Sequence, residues 1–461
     1  MASAGYNPMV LSAQFSEIPN ELTSSQRKKP IPLSVKSMAV ASQSGSATSG
    51  SQVNFQISSA NGFIKPASMF IKCRVTLTGS ATAADANTIV AWGNSCRNSS
   101  SIIERVTVSS GAVLESINNY GSSYIPTLLL HCSNQSYVNG DDKLLEAGYR
   151  AASGWDYTSL GNLSSSAVNG WVDVPTGVIP NVANTYVDVC VPMYSSLFQN
   201  EKAYPLALMA QSTLISIDLA VFGKAMYVSG ASPALALGKY SDYTVSNAQI
   251  CYDLIQVSPE YLMALKAQMA QGMLYSIPFT SVLSSQYTKQ GANTTYSWGI
   301  GASSLKGVTY SCLAAPTTIN DPKYLISDCS VGVTAGNNFR CSIDGQLQSS
   351  VVLDTTSSRY SACQLCFGLL TDVSRTVASG GVITYGATSF PLGPVNYETN
   401  FFVGGQGCMK VNEAQTMAGS QANNLSLILE TNGNAGTIVL ANAWIDKILV
   451  IDSNGSCNIV L

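Results

Sequence analysis

Period-two alternation of apolar and polar residues recurs along most of this chain, and few folds can use it. In Met69 to Leu77 the residues Met69, Ile71, Cys73, Val75 and Leu77 fall on one side, while Lys72, Arg74 and Thr76 fall on the other. Successive side chains of an extended strand point to opposite faces, so this segment reads as a strand with one face buried and one wet. Val53, Phe55 and Ile57 repeat the pattern, as do Ile215, Ile217, Leu219 and Val221 against Ser216 and Asp218. Ile102 to Val108, the turn Ser109-Ser110-Gly111 and Val113 to Ile117 read as a hairpin, with Gly111 suited to the positive φ of tight loops. Near the C-terminus Leu425, Leu427 and Leu429 alternate, Asn432 to Gly436 turn the chain, and Thr437 to Ile451 extends as one long strand or two. Turn signals at short intervals separate these runs, which is the pattern of an all-β sandwich.

Helix is sparse. Ser258 is a natural N-cap, Pro259 suits the first helical position, and Glu260 sits where the helix dipole favours negative charge. Tyr261, Leu262, Leu265 and Met269 then form an apolar stripe, and Gly272 closes the helix as a left-handed cap.

With 461 residues the chain is long enough for two large cores, since all-β domains run to about 200–250 residues. Ser212 to Val221 ends one block of strands, Gly223 to Lys239 reads as a loose linker, and Val245 to Val257 opens a second block. The expected division is an N-terminal arm at 1–35, a first domain at 36–222, a linker at 223–244 and a second domain at 245–461.

Charged residues make up only 11% of the chain, against roughly 25% in an ordinary soluble domain. No run reaches the uninterrupted apolar length of a membrane span, and the first thirty residues lack the apolar core of a signal peptide. A soluble chain not exported by that route is expected. Mean hydropathy is nevertheless +0.17. Either much surface is hidden against other subunits, as the charge-poor centre of an interface would be, or Ser, Thr, Asn and Gly solvate it without charge. Net charge is only -3, so the body of the protein has no electrostatic footprint for nucleic acid. The one basic cluster, Arg27-Lys28-Lys29 before Pro30, suits an anionic membrane, a genome, an acidic neighbour or plain solvent.

The twelve cysteines are scattered, and without dense spacing they read as buried free thiols of a reducing compartment. Cys363-Gln-Leu-Cys366 is a lone pair with half the ligands of a structural zinc site. The sequons at Asn98, Asn134, Asn162, Asn293, Asn424 and Asn454 arise by chance in a chain this rich in Asn, Ser and Thr, and without secretion they stay bare. His131 is the only histidine, which excludes a two-histidine metal site and leaves one base for any nucleophile. It sits in LLLHCSN, read as a strand end, where it is a packed residue rather than a catalyst. Gly299-Ile-Gly301-Ala-Ser-Ser304 fails as a dinucleotide motif at its last position. No residue is assigned a catalytic, cofactor-binding or metal-binding role. A carboxylate pair assembled in space would leave no local pattern, so a hydrolase on a β scaffold stays open.

Val189-Cys-Val-Pro192, then Glu201-Lys-Ala-Tyr-Pro-Leu-Ala-Leu208 and Leu214-Ile-Ser-Ile-Asp-Leu219, resemble the close of the first jelly roll in double jelly-roll major capsid proteins. Ala248 to Val257, followed by the Pro259-Glu260 helix and Ile277-Pro278-Phe279, resembles the opening of their second, and Ser101 to Tyr120 is similar to an early hairpin. The succession, spread over most of the chain, carries the resemblance. It implies two tandem eight-stranded jelly rolls with short helices, in a structural protein of an icosahedral DNA virus. That protein would form homotrimers of pseudo-hexagonal outline that tile the virion shell, assembled in the host cytoplasm or nucleus. The implied partners are further trimers, penton and minor capsid proteins, and an internal membrane touched through the N-terminal arm, with no sequence-specific nucleic acid and no cofactor. Outer loops would include Asn134 to Gly170 and Thr318 to Gln348. The alternative is a jelly-roll carbohydrate- or receptor-binding protein of spike or lectin type. That reading wants aromatics gathered on one loop set, whereas Trp92, Trp155, Trp171, Trp298 and Trp444 are dispersed. An RNA-virus capsid with shell and protruding domains would carry a long basic arm, which the chain lacks.

Overall fold

The computed structural model describes residues 33–42, 45–58, 62–79, 89–92, 99–131, 186–200, 202–229, 240–288, 293–313, 338–348, 353–366, 382–385, 388–391, 403–408, 419–430 and 438–460. Among the described residues, eight of the strands make up the main body of the first half: β1 (Leu33–Ser42), β2 (Gln52–Ile57), β3 (Phe70–Gly79), β4 (Ile103–Ser110), β5 (Ala112–Asn118), β6 (Tyr186–Pro192), β7 (Thr213–Leu219) and β8 (Tyr240–Val257), and the short strands Ser46–Thr48 and Gly62–Ile64 pair with β8. The eight form two antiparallel sheets, ordered β1-β8-β3-β6 and β2-β7-β4-β5. Strict alternation makes this sandwich work. Val53, Phe55 and Ile57 of β2, Ile215, Ile217 and Leu219 of β7, and Ile71, Cys73, Val75 and Leu77 of β3 all point into one core. The expected hairpin is present, with Gly111 at φ 75° between β4 and β5.

The second half repeats that plan. Its strands are β9 (Tyr275–Thr288), β10 (Asn293–Leu313), β11 (Asn338–Ile343), β12 (Gln346–Leu347), β13 (Gly404–Gly407), β14 (Ser420–Glu430) and β15 (Ile438–Ile451), with β16 (Cys457–Val460) added beside β15. The long β10 serves two positions. Its first part pairs with β14 from Asn293 opposite Glu430, and its last part pairs with β15 from Leu305 opposite Ile445 to Leu313 opposite Ile438. Between them the register slips at Gly299, Ala302 and Leu305, and Gly301 takes φ 52°. A strand that switches sheets through bulges makes a corner. Divided there, the sheets read β9-β15-β10-β13 and β10-β14-β11-β12, which is the order of the first half strand for strand. The glycines of the failed nucleotide motif thus supply a bend. A buried polar node holds it, in which Asp446, 1% exposed, takes hydrogen bonds from Ser304 at 2.7 Å and Thr280 at 3.0 Å and pairs with Lys306 at 3.2 Å.

The placement of the second block is corrected by this pairing. Val245 to Val257 belongs to β8, which lies between β1 and β3 and closes the first sandwich instead of opening the second. The segment expected as a loose linker also has partners. Phe222–Ala225 is one helical turn, and Met226–Ser229 pairs with Ile89–Trp92. A strand's own residues specify an exposed and a buried face but not which strands flank it, so the run was compatible with either block.

Among the described residues, three α-helices longer than one turn punctuate the strands: α1 (Ile125–His131), α2 (Pro259–Ala270) and α3 (Thr356–Cys366). In α2, Ser258 Oγ accepts the Tyr261 N–H at 3.3 Å, Pro259 opens the first turn, and Leu262, Leu265 and Met269 are buried. Gly272 then takes φ 97°, as a left-handed cap requires. Residue 131 ends α1, not a strand, because the helical turn Tyr120–Tyr124 runs directly into Ile125 and the following leucines continue it. Within the expected outer loop Thr318 to Gln348, Asn338–Ile343 and Gln346–Leu347 are strands joined at Asp344-Gly345, both with positive φ. Residues 1–32, the expected loop Asn134 to Gly170, and the cysteines Cys96, Cys132 and Cys329 lie outside the described residues.

Candidate functional site

The two sandwiches stand side by side with matching ends together. Tyr275, at the start of β9, donates its hydroxyl to Ala203 O at 3.4 Å, and the Ala210 N–H donates to Gly455 O at 3.0 Å. Ala203 and Ala210 lie between β6 and β7, at the end of the first sandwich where β1 starts and β8 finishes. Tyr275 and Gly455 lie at the corresponding end of the second, beside the start of β9 and the finish of β15. Farther along, just past β5, Asn442 Nδ2 donates to Ser123 Oγ at 2.9 Å and the Tyr124 ring stacks on Trp444 with centroids 5.7 Å apart. The strand ends that bracket residues 80–88, 132–185, 314–337 and 367–402 therefore gather at one end of the molecule.

The seam is an interior, not a loose contact. Tyr275, Ile277, Phe279, Val282, Trp444, Leu449 and Ile451 of the second sandwich belong to the same buried cluster as the core of the first. Trp444 donates its indole N–H to Thr309 Oγ1 at 2.9 Å, so its polar tip is satisfied where its ring is buried. These residues carry a signal that sequence reading passed over. From Val439 to Ile445 every residue of β15 is buried, so the run lacks alternation. A strand covered on both faces reads as a near-continuous apolar run, here broken only by Asn442, and β15 is covered by its own core and by its neighbour.

One charged group is enclosed in the seam. Glu115, on β5, is 1% exposed and accepts a short hydrogen bond from Ser195 Oγ. Ser281 of β9 and Lys447 of β15 approach its carboxyl from the second sandwich. Burial pushes the Glu115 carboxyl above its ordinary range, and the Ser195 hydroxyl and the Lys447 charge only partly oppose it. Burial likewise pulls the Lys447 ammonium down, against the pull of Glu115.

The residues weighed for chemistry are dispersed. Of the nine cysteines among the described residues, eight are buried, and the Cys73 thiol is pushed up to about 12 by burial. Cys363 and Cys366 sit in α3 with both thiols buried, and Cys366 packs against β10 with its sulfur 3.9 Å from Val308 O. Among the described residues, no group of three His, Cys, Asp or Glu is placed to hold a metal. The α2 helix carries exposed apolar residues. Met263 and Leu274 are 64% and 45% exposed, on the outer side of α2 and its exit, with Ala264, Ala267 and Ala270 exposed beside them.

No family model and no curated protein matches this sequence. Among solved structures, the Faustovirus major capsid protein superimposes with a TM-score of 0.57 over 94% of this chain and 92% of its own, at 12% identity. PBCV-1 VP54, fitted into a reconstruction of the virophage Sputnik, gives 0.53 over 95% and 98%, at 13% identity. The chain has the double jelly-roll fold of viral major capsid proteins. A chain from the Sputnik virophage structure matches this double jelly roll at a TM-score of 0.52, over 95% of this chain and 91% of its own at 13% identity. Coverage this complete in both directions means that both jelly rolls, and not one sandwich alone, are shared. At such identities the shared quantity is the fold.

Proposed function

We propose that this protein is the major capsid protein of an icosahedral DNA virus and acts by geometry, without a catalytic step. The observation that carries the reading is the repeat itself: two jelly rolls of one strand order, held parallel by a buried seam. Such a pair is a rigid block with two similar barrels. Three blocks around a closed cyclic axis give six barrels and a nearly hexagonal outline, because one heterologous patch then serves three times. The fold neighbours support this reading, since one is itself a major capsid protein and another is a virophage particle. In this account the first roll runs from Leu33 to Val257, α2 bridges the rolls, and the second runs on from Tyr275. The partners are neighbouring trimers, with penton and minor capsid proteins at particular lattice positions.

Light scattering of the purified protein, with images of the same peak, tests the block. A stable species at three times the 48.5 kDa chain mass with a hexagonal outline is the expected result; a clean monomer at assembly concentrations would overturn it. The arm carries a second expectation. Because residues 1–30 hold the basic triplet and precede β1, a chain lacking them should still trimerise but assemble shells poorly. Normal shells from that truncation would remove the arm from the lattice contacts.

A further inference from the structure

We propose that the outer face of α2 is a docking strip for the chain's own N-terminal arm, residues 1–32. The inner side of the helix is spent on the core, where Leu262, Leu265 and Met269 are buried. Met263, Ala267 and Ala270 recur at i, i+4 and i+7 and so share a second stripe, which is exposed, with Ala264 beside it and Leu274 just past the helix exit. An ordinary surface helix is apolar on one side and charged on the other. The only charged residues of α2 are Glu260 and Lys266, and its exposed alanines leave a shallow bed that larger apolar groups can fill.

The fold delivers the arm to this strip. β1 is paired with β8 as far as Leu33 opposite Val257, and Ser258, the next residue after Val257, caps α2. Paired strands lie about 4.8 Å apart, so the chain before Leu33 leaves the fold beside the first turn of the helix. Reach is ample. The helix is about 18 Å long, whereas the stretch from Leu22 to Leu33 spans up to about 36–40 Å when extended. The chemistry also matches. Leu11, Phe15, Ile18 and Leu22 supply large apolar groups where α2 offers small ones, and Arg27-Lys28-Lys29 precedes Leu33 closely enough to meet the exposed Glu260 carboxylate in the first turn.

Two other occupants fit less well. An anionic lipid surface calls for a basic flank beside an apolar helix face, and Lys266 is the only basic residue of α2. A second copy seated here would need about 1,200 Å² of total buried surface for a stable pair, well beyond what one stripe of a short helix can bury. A tethered arm needs far less, because its effective concentration is in the millimolar range. Docking of this kind is a property of one chain and holds whether or not three chains join; light scattering reports the trimer separately.

The test places a photo-cross-linking group on the strip of the full chain, as Met263→benzoylphenylalanine. After irradiation and digestion, mass spectrometry should find position 263 joined to a peptide from residues 1–32, and a denaturing gel should show that product at the 48.5 kDa of one chain. Glu260→Lys should lower its yield by about two- to fivefold, and adding Lys28→Glu and Lys29→Glu to that variant should restore it. A product of twice the chain mass would mean that the arm of another copy covers the helix, and a link to added vesicles of phosphatidylcholine and phosphatidylserine in place of residues 1–32 would give the strip to lipid. Either result, the absence of any link to residues 1–32, or a yield indifferent to Glu260 would overturn the proposal.

Discussion

Replacing Gly121 with alanine should strongly destabilise the protein. Gly121 lies in the single π-helical turn Tyr120–Tyr124 that follows β5, and a Cβ there would strike the Ser100 carbonyl and stand 2.9 Å from Ile103 O. Both obstacles are backbone, so no side chain can rotate away. Over-packing a filled interior costs about 1–3 kcal/mol, and a collision with main chain falls at or above the top of that range. The turn also delivers Ser123 and Tyr124 to Asn442 and Trp444, so any displacement is felt in the seam. We expect a loss of about 3 kcal/mol, or roughly 6–12 °C in melting temperature. Gly299→Ala is the control, because its Cβ would meet nothing closer than 3.9 Å. Equal melting temperatures for Gly121→Ala and Gly299→Ala would show that the turn yields.

Trp444→Ala should uncouple the barrels. The residue is 7% exposed, stacks on Tyr124 and donates to Thr309 Oγ1, which a truncation leaves without that donor. Removing a buried tryptophan costs about 3–5 kcal/mol. Because the loss falls between two cores, calorimetry should resolve two transitions where the wild type shows one, and protease should cut near the exposed α2 earlier. Trp444→Phe keeps the ring contact and should lose less than half as much. A single unshifted transition in Trp444→Ala would mean that the contacts of Tyr275 and Gly455 suffice to join the rolls.

The strands of the first roll were legible because half-buried strands write their exposure into alternation, as in the run from Met69 to Leu77. The α2 helix was equally legible, since Ser258, Pro259 and Gly272 are local devices. Pairing was not. β8 and a first strand of the second roll would look alike, and only the register against β1 and β3 distinguishes them. The corner in β10 was hidden for a related reason: Gly299 and Gly301 declare a departure from regular backbone without saying what departs. Glu115 left no signal, because a carboxylate beside Leu114 and Ser116 reads as the wet face of a hairpin until another domain covers it. What lies between two separately patterned cores is a property of neither pattern.

The position of β8 has a temporal side. Among the described strands β1 hydrogen-bonds to β8 alone, and Leu33 finds its place opposite Val257. Loop closure over so long a stretch is slow to begin, and the partner must first be synthesised. At roughly 5–20 residues per second, the interval between the two strands is on the order of 10–40 s. Throughout it β1 is an open edge seeking a partner of one sequence, and on a crowded message every neighbouring ribosome that is further along carries that same strand. Fidelity of the first roll is thus a race between a chain's own β8 and the β8 of the copy ahead of it.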